Sequence, residues 1–128
     1  MKLRIRGNSV RLRLTKSEVE RFGETGSVGE MVEFGSAFPV FRYELNRSSK
    51  DSSIKAGFED NCLYISVPVG DVENWIRSEE IGLEVMCPIG DNKFLRILVE
   101  KDFACLTPRD SEDESDAFAN PLAQVSCG

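Results

Sequence analysis

Four arginines, Arg4, Arg6, Arg11 and Arg13, are the residues of this chain best suited to bind another molecule. They occupy every second position of two short runs, KLRIR and VRLRL, so extended backbone would carry all four on one side. A guanidinium presents a rigid fork of donors that matches phosphate and carboxylate oxygens. If the two runs pair as a hairpin, like charges face one another across the strands, and such crowding is unfavourable unless anions neutralise it. Two sources of anion are open. One is an outside phosphate or nucleic acid. The other is the protein's own acids, including the stretch Asp110 to Asp116; 22 Asp and Glu against 16 Lys and Arg favour this self-pairing.

Other chemistry is poorly supported. With 0 histidines, a Ser-His-Asp or Cys-His machine is excluded within one chain, and the commonest metal ligand is missing. The 4 cysteines, Cys62, Cys87, Cys105 and Cys127, form no CxxC pair, and their gaps suit neither a zinc ribbon nor a redox motif. Cys62 and Cys87 lie in apolar, strand-like contexts and read as buried thiols. Cys105 and Cys127 bracket the C-terminal tail; they are expected as thiols in a reducing compartment, with a disulfide forming on oxidation. Glu79-Glu80 and Glu112-Asp113 are sequence neighbours rather than carboxylates set across a cleft. There is no Walker loop and no GxGxxG fingerprint. No catalytic residue, cofactor or metal is therefore assigned.

The bulk properties bound the answer. At 128 residues, 41% hydrophobic and 30% charged, the chain is an ordinary globular domain with enough length for one core. No apolar run approaches the roughly 20 residues of a membrane span. The opening MKLRIRG lacks the apolar stretch of a secretory signal, so a cytoplasmic location away from membranes is expected. The net charge of −6 is unevenly spread: residues 1–53 carry +3, residues 54–104 carry −5 and residues 105–128 carry −4. Such a dipolar chain could offer an anion one face while remaining acidic as a whole.

Elements to position these residues follow from the apolar periodicity. Leu3 and Ile5, then Val10, Leu12 and Leu14, alternate with charges around a Gly7-Asn8 turn and predict a hairpin. Thr15 with Glu18 has capping-box spacing, Val19 and Phe22 give the following helix an apolar stripe, and Gly23 is placed to stop it. Strands are predicted at Val28–Phe34 and Val40–Leu45, then a polar loop over 46–53. The pattern then returns. Ile54, Ala56 and Phe58 alternate before an Asp60-Asn61 turn, and Leu63, Ile65 and Val67 alternate after it. Pro68 suits a helix start, Val72, Trp75 and Ile76 form an apolar stripe, and strands follow at Ile81–Val85 and Phe94–Glu100 around Asp91-Asn92.

A shift of 53 residues superimposes the two runs. It carries Leu12 to Ile65, Leu14 to Val67, Val19 to Val72, Phe22 to Trp75, Val28 to Ile81 and Gly29 to Gly82. The predicted architecture is mainly β with two short helices, an α+β chain built from two fused ββαββ repeats, about 2–45 and 54–100, joined by a linker at 46–53. Eight strands in two equivalent halves suggest a small, closed or partly closed, antiparallel-rich barrel over 1–104, since closure removes exposed edges. The acidic tail 105–128, with Phe118, Leu122 and Val125 as anchors, is expected to pack on or beside it.

Thr15-Lys16-Ser17-Glu18 and Pro68-Val69-Gly70-Asp71, each ending a strand and opening a helix, resemble the helix start of the AbrB-type swapped-hairpin, cradle-loop barrels. That resemblance covers about 10–45 and 63–99 and implies DNA binding by analogy, although this chain fuses two copies and is acidic. Over nearly its full length the chain also resembles a small bacterial family known only as a domain of unknown function. Lys2 to Leu14, KLRIRGNSVRLRL, and Leu98 to Leu106, LVEKDFACL, carry that likeness, with the acidic segment and Asn120-Pro121 beyond. It implies nothing about activity. The functional expectation is a non-enzymatic binding module that meets a protein or anionic ligand through the arginine hairpin. A nucleic-acid-binding regulator is the alternative, and an enzyme using a carboxylate or Cys105 comes third. The oligomeric state is not legible.

Overall fold

The computed structural model describes residues 1–103. Within them the order is β1 (Lys2–Arg6), β2 (Ser9–Leu14), α1 (Lys16–Thr25), β3 (Ser27–Val32), β4 (Phe41–Ser48), β5 (Lys55–Glu59), β6 (Cys62–Pro68), α2 (Val69–Arg77), β7 (Gly82–Gly90) and β8 (Lys93–Lys101). The chain is mainly β with two helices, and hairpin, helix, hairpin occurs twice in succession.

The four hairpins are local and antiparallel, but the sheets are not built from neighbours. β1-β2-β8-β7 form the first sheet and β3-β4-β6-β5 the second. The central pairs, β2 with β8 and β4 with β6, are parallel. Each half of the chain therefore gives one hairpin to each sheet. The expected closed barrel is corrected: the described strands form two separate four-stranded sheets. The edge strands β1 and β7 of the first sheet pair with neither edge strand of the second, β3 or β5, and side chains of both helices pack in the core that the sheets share. Leu12, Leu14, Ile97 and Val99 of the first sheet and Leu45, Ile65 and Val67 of the second bury with Val19, Phe22, Val72 and Trp75 of the helices. Phe22 and Trp75 meet edge to face, centroids 6.5 Å apart, an arrangement favoured by the ring quadrupoles. Toward the hairpin turns this filling runs out, and Ile5 and Phe58 stand exposed.

Local chemistry explains the boundaries. The Thr15–Glu18 capping box is complete, with each side chain meeting the other residue's amide. α1 runs past Gly23 to Thr25 and ends at Gly26, whose φ of 81° is the left-handed cap conformation. Gly23 instead leaves room for α2: a Cβ there would lie 3.0 Å from Ile76 Cδ1. Asp60-Asn61 and Asp91-Asn92 all have positive φ, as a primed hairpin turn requires. β4 continues to Ser48, into the stretch read as a loop, because Asn46, Arg47 and Ser48 pair with Ser66, Val67 and Pro68 of β6.

The 53-residue correspondence holds through the helices and slips after them. Val28 is buried, whereas Ile81 is 58% exposed. The Ile81 carbonyl accepts from Lys101 N as the Gly26 carbonyl accepts from Arg47 N. Ile81 thus stands where Gly26 does, because the connection 78–81 after α2 is longer than the single Gly26 after α1.

Candidate basic face of the first sheet

On the side of the first sheet turned away from the core, three rows run across the strands. They are Lys2–Arg13–Glu100–Gly82, Arg4–Arg11–Leu98–Glu84 and Arg6–Ser9–Arg96–Met86. All four arginines picked out from the sequence therefore share one face, with Arg4 directly opposite Arg11. Lys2 and Arg96 join them, giving six cations against two carboxylates, Glu84 and Glu100.

The cations are not alike. Arg13 is 5% exposed, and its Nε and Nη2 donate to Glu100 Oε1 at 3.3 and 3.0 Å. Arg11, half-buried, shares that oxygen through Nε at 3.3 Å. Arg96 grips Glu84 with two parallel bonds, Nε to Oε1 at 3.0 Å and Nη2 to Oε2 at 3.2 Å. These bonds hold the Glu84 carboxyl below the usual carboxylate range, helped by the charges of Arg96 and Arg11, and raise the Arg96 guanidinium in turn. Lys2, Arg4 and Arg6 line the exposed edge strand β1. The sequence reading missed Arg96, Glu84 and Glu100. Alternation in KFLRILVEK puts Arg96 and Glu100 on one side of a strand, but no local signal says that this strand lies beside β2.

The corresponding face of the second sheet reads Ser27–Asn46–Ser66–Lys55, Gly29–Glu44–Tyr64–Gly57 and Met31–Arg42–Cys62–Glu59. Its two cations, Arg42 and Lys55, balance Glu44 and Glu59. Tyr64 lies across Gly57, where a Cβ would meet the ring hydroxyl at 2.2 Å, so the aromatic covers the bare glycine of the neighbouring strand.

Cations also close both helices from the strands. Arg47 Nη1 donates to Gly23 O at 3.0 Å, and Lys101 Nζ donates to Ser78 O at 2.9 Å while standing 5.8 Å from the Trp75 ring centroid. Both meet the negative end of a helix dipole and satisfy carbonyls the helix leaves open. These two are structural.

Two further clusters bring polar or apolar groups together. The Met1 ammonium, buried, contacts Glu18 and lies 3.2 Å from Glu30, whose Oε2 also accepts from the Tyr43 hydroxyl at 2.8 Å. Burial and then the Glu30 carboxylate push the Tyr43 hydroxyl up from 10.0 to about 12. Every group there is matched by a partner, and it acts as a polar plug. Near the β3–β4 turn, Phe34, Phe38, Pro39, Val40, Phe41 and Asn61 line an open groove of about 450 Å³ that contains no titratable side chain. Cys62 is buried and Cys87 half-buried, both as free thiols; burial raises the Cys62 thiol, which blunts its reactivity. Cys105, Cys127 and the acidic tail lie outside the described residues. Among the described residues no three His, Cys, Asp or Glu side chains gather as a metal site, and no helix is long and apolar enough to cross a membrane.

Neither a curated protein nor a solved structure matches this chain. A family match extends from residue 1 to residue 122, through both sheets and into the acidic segment, and on that coverage the chain belongs to DUF7009, a family of unknown function.

Proposed function

We propose that this chain is a non-enzymatic binding module whose recognition surface is the basic outer face of the first sheet, and that the face takes an acidic polypeptide segment. The observation that carries the reading is the excess of four positive charges there, set against a balanced face on a sheet of the same layout. The fork contacts of Arg96 with Glu84 and Arg13 with Glu100 are carboxylate geometry already in use on that face. A nucleic acid fits less well. Among the described residues the only aromatic on that side, Phe94, sits at its rim rather than in a stacking position. The paired halves and their exchanged hairpins support a fused duplication as the origin of the fold. Free thiols at Cys62 and Cys87 fit a reducing compartment, the cytoplasm.

The test is fluorescence anisotropy of labelled oligoglutamate with the full chain, against a duplex DNA of similar charge. Oligoglutamate should bind in the micromolar to millimolar range and weaken steeply between about 0.05 and 0.2 M salt. The Arg4→Gln/Arg6→Gln/Arg96→Gln chain should lose at least about tenfold in affinity. Binding that ignores both salt and these substitutions, or a preference for the duplex, would overturn the reading.

A further inference from the structure

We infer that the basic face is regulated from within: the chain's own acidic segment, Asp110 to Asp116, competes for it with outside ligands. The inference rests on the binding-module reading above and adds the identity of a competitor.

Charge matching is the first argument. The face carries six cations and two carboxylates, an excess of four. Residues 107–116 carry Asp110, Glu112, Asp113, Glu114 and Asp116 with Arg109 alone opposing them, an excess of four of the other sign. Position is the second. The chain leaves the first sheet at Lys101, and the Asp102 amide still donates to Leu14 O at 2.7 Å. It therefore departs beside the end of β2, next to the Lys2–Arg13–Glu100 row. Reach is the third. That row and the Arg6–Ser9–Arg96 row are four residues apart on β8, about 13 Å at strand spacing. The connection 104–109 spans up to roughly 20 Å, and so does 110–116, enough to come round the edge and lie along the face. A competitor on so short a tether works at a millimolar effective concentration, which masks ligands of ordinary affinity and yields to tighter ones.

The test uses the full chain with Asp110→Asn, Glu112→Gln, Asp113→Asn, Glu114→Gln and Asp116→Asn. Two readouts are needed, oligoglutamate anisotropy and backbone amide chemical shifts. The neutralised chain should bind the probe about tenfold tighter than wild type. Its shifts should differ at Lys2–Arg6, Ser9–Leu14 and Arg96 and coincide across β3–β6. Equal affinities with coincident shifts on both sheets would overturn the inference while leaving the binding reading intact. If neither chain binds the probe, the binding reading falls and the shifts decide alone: changes confined to the basic face support the competitor, and their absence rejects it.

Discussion

The two sheets share a strand plan and one interior but differ on their outer faces. Across the parallel centres, Leu12 and Val99 stand in the first sheet where Ile65 and Leu45 stand in the second, all fully buried. Outside, the second sheet balances its charges and covers a glycine with Tyr64, while the first concentrates six cations over two carboxylates. Since the second sheet forms without such a concentration, the fold does not demand it. The difference teaches that one strand plan and one interior accept two quite different outer faces, so the charge excess of the first sheet is not dictated by the packing beneath it.

Three comparisons test that contrast. Trp75→Ala should cost about 4 kcal/mol, because a buried indole is lost from the space both sheets share. Hydrogen exchange should show the two sheets loosening together; a second sheet left fully protected would break the idea of one interior. Glu100→Gln should cost about 3 kcal/mol, since it strands the buried Arg13 guanidinium, while Glu44→Gln on the other face should cost less than about 0.5 kcal/mol. Equal shifts of the urea midpoint would erase the contrast. The third comparison concerns the inward position held by Ile97 in the first sheet and Tyr43 in the second. The folded Tyr43 hydroxyl holds its proton to about 12 against an ordinary 10.0, so its contribution is intact below pH 10 and is lost as pH rises toward 12. Tyr43→Phe should flatten that alkaline limb and cost on the order of 1 kcal/mol at neutral pH; an unchanged limb in pH-dependent urea melts would reassign it.

What the sequence discloses divides by range. The β1–β2 hairpin, the Thr15–Glu18 box and the Asp60-Asn61 turn depend on residues a few positions apart, and each is visible in the chain alone. The parallel pairing of β2 with β8 depends on residues 87 positions apart, such as Arg13 and Glu100, and carries no local mark. Gly23 misleads for a related reason: its small size serves Ile76 on the other helix, not the end of its own. Ser48 reads as loop from the chain alone because its polarity says nothing of β6 beside it. The same holds at the candidate site. The four arginines are legible as one side of a hairpin, but their carboxylate partners arrive from β7 and β8.

The parallel join between β2 and β8 also sets a timetable. Arg13 is synthesised 87 residues before the glutamate that pairs with it, and the flanking apolar residues of β2 wait equally long for Ile97 and Val99. Pairing at such separation pays a large loop-closure entropy, so folding through it is slow. Until β8 is made, the apolar side of the β1–β2 hairpin lacks the strand that flanks it in the finished sheet. Charges alternating along an unpaired edge disfavour edge-to-edge stacking, and the arginines of β1 and β2 place such charges on the hairpin during that interval.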